Sequence, residues 1–133
     1  MGLDQFAYKV EKGLIPEGVE VDFYLPANDE YVKEDWYWRK NNYLHGWMEE
    51  LYRAKGGKDP DFNGNNVKLL GEDLKHLKDA IKNKTLSQTS GFFFGGDYSY
   101  YGEKYGDARD LKFVNEAMKA IKDGMDVYYT SSW

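Results

Sequence analysis

Cysteine is absent from this sequence, so neither a disulfide nor a thiolate metal site can hold it together, and its folding does not depend on an oxidising compartment. Histidine occurs only twice, which together with the missing cysteines argues against zinc catalysis. No stretch approaches the roughly 18 apolar residues of a membrane span, and the first residues lack the basic start and apolar run of a signal peptide. The expectation is a cytoplasmic protein with no membrane contact and no metal or other cofactor. Positive charge is in deficit as well. The net charge is −5 and the pI about 5.0, which argues against nucleic-acid binding driven by phosphate neutralisation. The deficit is local: residues 1–35 hold nine acids against three bases, a net of −6, which leaves +1 for the remaining 98 residues. Such an acidic first segment can repel nucleic acid or pair with a basic partner.

Aromatic residues are plentiful: 12 Tyr, 7 Phe and 4 Trp in 133 residues. Each ring can bury about 150–250 Å², and this is more than one core of this size needs. The length suits a single domain over residues 1–133, and the surplus rings point to a recognition surface or to a homo-oligomer interface.

Alternation of Phe6, Tyr8 and Val10 predicts a first strand over Leu3 to Val10. Val19, Val21 and Phe23 alternate with Glu20 and Asp22 and predict a second, closed by Pro26. A first helix is expected between Trp36 and Arg53, stopped by Gly56 and Gly57. Leu74, Leu77 and Ile81 predict a second helix from about Glu72 to Lys84. Asp107 can cap a third whose buried stripe is Leu111, Val114, Met118 and Ile121, with Gly124 as its stop and a closing strand over Val127 to Trp133. Without regular βαβ alternation, this order predicts an α+β fold in which a small antiparallel sheet packs with about three helices.

The first helix carries two stripes. Trp36, Leu44, Trp47, Met48 and Leu51 can build a core, with Lys40 in the middle of that arc, while Trp38, Asn42, His45 and Tyr52 form a second stripe capable of hydrogen bonding. Such a stripe either satisfies itself against a loop or the sheet, or faces a ligand or partner. Between Gly91 and Gly106 the chain places three consecutive phenylalanines and then Tyr98, Tyr100, Tyr101 and Tyr105 among glycines. Tyrosine offers rigid contact surface and glycine lets a guest approach the backbone. If this segment closes over the histidine side of the helix, its rings stack on a guest that Arg39, Asn42 and His45 hold by polar contacts.

Several patterns in the chain occur together: Met1-Gly-Leu-Asp4, Tyr37-Trp-Arg-Lys-x-Asn42-x-x-His45-x-Trp47, Gly91-Phe-Phe-Phe-Gly95 and Tyr129-x-Ser-Ser-Trp133. In this combination the chain resembles a family of small, mostly uncharacterised open reading frames of bacteriophages and bacteria. The resemblance spans nearly the whole length and transfers no catalytic assignment. It implies a phage or mobile-element origin, and by association host takeover or counter-defence inside the host cytoplasm.

Weaker patterns have plainer readings. Asp59-x-Asp61-x-Asn63-Gly64 matches the first half of a calcium loop, but Leu70 stands where the bidentate acid is needed, so a plain turn is expected. Lys75, Lys78 and Lys82 form a solvated helix face, and His76 beside them is expected to be exposed. Three functions compete. One is a binding protein that sequesters a small anionic or nucleotide ligand; another is a protein inhibitor of a host factor. The last is a phosphodiesterase with His45 as its base and Arg39 as its anion clamp.

Overall fold

The computed structural model describes residues 2–25, 35–87, 100–102 and 106–133. Strand β1 spans Asp4–Glu11, β2 Trp36–Arg39, helix α1 Asn42–Ala54, β3 Val67–Leu69, α2 Gly71–Lys82, α3 Asp107–Lys122 and β4 Met125–Ser132. The four strands form one antiparallel sheet in the order β2-β1-β4-β3. Together with the three helices this is the expected α+β architecture. No helix among the described residues is long and apolar enough to cross a membrane.

Strand periodicity sorts the side chains into two layers. Ala7 on β1, Trp38 on β2, Val127 and Tyr129 on β4, and Val67 and Leu69 on β3 share one core with the buried faces of the helices. The opposite face carries Val10 and Tyr128, covered by Ile15, Phe23 and Leu25 from the segment after β1. The central strand β4 is therefore buried on both sides at Val127, Tyr128 and Tyr129.

Several expectations need correction. Residues 36–39 are a strand, because Trp36 and Trp38 alternate and pair opposite Ala7 and Gln5 of β1. Lys40 turns the chain with a φ of +59°, so it lies outside the helix, exposed, and has no place in an apolar arc. Counted from Asn42, the buried residues Asn42, Leu44, His45, Met48 and Tyr52 cover a single arc of about 160° at 100° per residue. The two predicted stripes are therefore one face.

The predicted strand at Val19 to Phe23 is reduced to a bridge between Val21 and Val67. Asp22 breaks the extended run with a φ of +54°. Strand β3 was hidden within turn-rich sequence; it is only three residues long, and Lys68 donates its backbone N–H to Glu20 at 2.8 Å. In α3 the buried stripe is Asp110, Phe113, Val114, Ala117 and Ala120, with Leu111, Met118 and Ile121 only partly covered. Small alanines permit closer packing than the bulkier residues that suggested the other register. Leu74, Leu77 and Ile81 are buried in α2 as its periodicity predicts.

Candidate functional site

Four buried polar residues, Gln5, Asn41, His45 and Asp110, belong to one connected network that begins at Gln5, on the helix side of β1. Its amide orientation is set by the backbone of Asn41, whose N–H donates to Gln5 Oε1 at 2.8 Å and whose carbonyl accepts from Gln5 Nε2 at 3.0 Å. The same Nε2 donates to Tyr129 Oη at 3.1 Å, and Tyr129 Oη lies 2.8 Å from His45 Nδ1. The direction of the bond between the tyrosine hydroxyl and His45 Nδ1 follows the imidazole tautomer, since the hydroxyl can accept from Gln5 and still either donate to or accept from the ring. Burial lowers the His45 pKa to about 4, so the ring is neutral near pH 7.

Asp110 anchors a second branch. It is completely buried on α3 and accepts from Trp38 Nε1 at 2.9 Å, Asn41 Nδ2 at 2.9 Å and Tyr100 Oη at 2.6 Å. Burial pushes its pKa up to about 6, against the opposing pull of these donors. Asn41 also caps α1, since its Oδ1 accepts from Leu44 N at 3.1 Å. Tyr100 stacks on Tyr43 of α1 with centroids 4.6 Å apart.

The predicted site residues therefore divide. Trp38, Asn42, His45 and Tyr100 are brought together, but all four lie inside the core at 2% exposure or less. Tyr101 leans edge-on against Tyr100 and donates its hydroxyl to the Leu86 carbonyl at 3.0 Å. Arg39 points to the other face of the sheet, where it pairs with Asp4 at 3.3 Å, so it shares no pocket with His45. Tyr98 and Tyr105, like the three phenylalanines before them, lie outside the described residues. Tyr100 and Tyr101 both pack against Tyr43 of α1. A substrate has no exposed imidazole edge to meet at His45, which is 0% exposed.

Open concave surface lies elsewhere. One cleft of about 280 Å³ runs between β2 and α3, with Trp36, Trp38 and Phe113 in its wall and Arg109 and Lys112 at its rim. A second, of about 370 Å³, adds Lys9, Lys119, Asp123 and Met125. The two share Asp35, Trp36 and Glu116, and so form one trough. Its floor is fixed by α3: Glu116 accepts from Trp36 Nε1 at 3.0 Å, Asp110 holds Trp38, and Phe113 meets both indoles edge-on at 5.1 and 4.8 Å. Arg109 donates to the carbonyl of Tyr37 on the same strand.

Sequence reasoning passed over Gln5, Asn41, Asp110 and Tyr129. Asp110 left a signal: it stands three, four and seven residues before Phe113, Val114 and Ala117, in phase with residues that must be buried. The partial calcium pattern is consumed internally, with Asp59 accepting from Asp61 N and from Asn65, and Asn63 clasping the backbone of Trp133 in both directions. His76 is exposed on α2.

No protein-family model, curated protein or solved structure matches this chain. Its function is therefore argued from its own surfaces.

Proposed function

We propose that this chain is a non-catalytic accessory protein that acts by binding a partner protein, as a phage-encoded inhibitor of a host factor would, through the trough between β2 and α3. The observation that carries this reading is the trough itself. It is open, floored by indoles that α3 holds in place, and rimmed by Lys9, Arg109, Lys112 and Lys119 alongside Asp35, Glu116 and Asp123. Tryptophan and arginine inside a polar rim match the composition of protein interfaces, whereas small-molecule pockets are mostly apolar and enclose most of their ligand. The burial and neutrality of His45 favour binding over catalysis.

A second reading keeps the small anionic or nucleotide ligand and moves it to this trough. The half-buried Trp36 beside Arg109 and Lys112 favours it, since a base can lie against its indole while a phosphate meets the cations.

One pair of experiments separates the two. Lys112 is exposed on α3, so Lys112→Glu should change stability by no more than about 0.5 kcal/mol. Immobilised wild-type protein should retain a defined protein from bacterial lysate that Lys112→Glu fails to retain. Equal retention by both would remove the partner reading. A panel of nucleotides should leave the wild-type melting temperature unchanged. A ligand-dependent rise that Lys112→Glu abolishes would favour the second reading instead.

A further inference from the structure

The two edges of the sheet are finished differently. Along β3 the chain supplies its own cover, since Val21 bridges to Val67, Lys68 donates its N–H to the Glu20 carbonyl at 2.8 Å and Asp22 donates its own to the Asn66 carbonyl at 2.9 Å. Strand β2 is the other edge, and among the described residues no backbone pairs with its outer side.

Register decides which groups that side offers. Asp4 stands opposite Arg39, so Leu3 stands opposite Lys40, and the Lys40 N–H donates to the Leu3 carbonyl at 2.8 Å. Alternation along an antiparallel ladder then turns the N–H and C=O of Trp36, Trp38 and Lys40 inward and those of Tyr37 and Arg39 outward. The Tyr37 carbonyl agrees, because Arg109 donates to it from α3. Native sheets blunt an exposed edge with proline, lysine or a covering group. Trp36-Tyr-Trp-Arg39 holds neither proline nor lysine and is rich in strand formers, so the Arg109 guanidinium serves as its cover.

Placed antiparallel to itself about Tyr37, the segment Asp35-Trp-Tyr-Trp-Arg39 is self-complementary. Tyr37 of one copy faces Tyr37 of the other, each N–H toward the other's carbonyl; Trp36 faces Trp38, and Asp35 faces Arg39 at both ends. Opposite charges directly across a strand pair stabilise it. Both are within reach of solvent: Asp35 is exposed, and Arg39 keeps 54% of its side chain exposed beside its 3.3 Å pair with Asp4. We propose that β2 is a self-association edge: a second copy of this chain adds its β2 antiparallel to this one, centred on Tyr37, and displaces Arg109 from the Tyr37 carbonyl. The two four-stranded sheets then join into one across a two-fold axis. Lys112, on which the partner reading is tested, lies on α3 and takes no part in this pairing, so the two readings fail separately.

Sedimentation equilibrium of the whole chain tests the pairing. Wild type should be a monomer–dimer mixture at about 0.1 mM. Arg109→Ala should tighten the dimer about fivefold or more, since a hydrogen bond no longer competes for the Tyr37 carbonyl in either copy. Asp35→Asn keeps an acceptor for the Lys9 N–H, and Arg39→Gln keeps a long polar side chain without the charge; each should weaken the dimer about two- to tenfold. Combined, they should weaken it no further than either alone, because both remove the same pair between copies. Within one copy the two residues stand four positions apart along the strand, about 13 Å, where independent effects multiply. A wild type that stays monomeric at that concentration would overturn the proposal, as would Asp35→Asn and Arg39→Gln effects that multiply. A dimer that Arg109→Ala fails to tighten would also contradict it.

Discussion

At the scale of single residues, two buried ionisable groups pull stability in opposite directions. The folded pKa of His45 is about 4 against an ordinary 6.5, so the unfolded chain binds the extra proton between those values. Its contribution to stability is complete above pH 6.5 and is lost as pH falls toward 4. Asp110 has a folded value of about 6 against 3.8, so the folded chain holds the extra proton, and its contribution is complete below about 3.8 and is lost as pH rises through 6. Between about pH 4 and 6 the two offset each other. His45→Asn, which keeps an acceptor near Nδ1, should lower stability at pH 7 but make the melting temperature rise on going from pH 6.5 to 5 relative to wild type. Melting profiles that run parallel for the two proteins would contradict this. Tyr129→Phe removes the hydroxyl shared by Gln5 and His45 and should cost about 1–3 kcal/mol in urea unfolding, the cost of stranding a buried polar partner.

At the scale of elements, the fold turns on how β2 meets α3. Trp36 and Trp38 lie two residues apart on a strand, and Asp110, Phe113 and Glu116 lie three apart on a helix, so each indole finds a carboxylate and both find the ring between them. Phe113→Ala should therefore cost about 3–5 kcal/mol and should shift tryptophan fluorescence to longer wavelength; a loss below 1 kcal/mol would mean the indoles are held otherwise. Helix α2, β1 and β4 were legible because their periodicity is undisturbed by neighbours. Residues 36–39 were not, since Trp36, Leu44, Trp47 and Leu51 fit helical spacing and only the partner strand supplies the evidence for alternation. Helical spacing placed Trp38 beside His45, whereas a strand carries it and Tyr129 stands between the two. The burial of His45 was not legible either, because it depends on a network through Gln5, Asn41 and Asp110, which lie 36 to 105 residues apart in the chain and meet only in three dimensions.

At the scale of the whole molecule, the polar and aromatic wealth of the chain divides between a sealed interior and an open trough. The interior network joins β1, β2, α1, α3 and β4, so it fixes how the layers sit on one another. The trough lies on the far side of the two indoles and keeps its charges at the surface. The account depends most on the histidine side being closed. Nitrogen NMR of the His45 ring between pH 8 and pH 5 tests that most directly. The account predicts a neutral ring throughout this range. Titration of His45 near 6.5, as in water, would open the histidine side to solvent and contradict it.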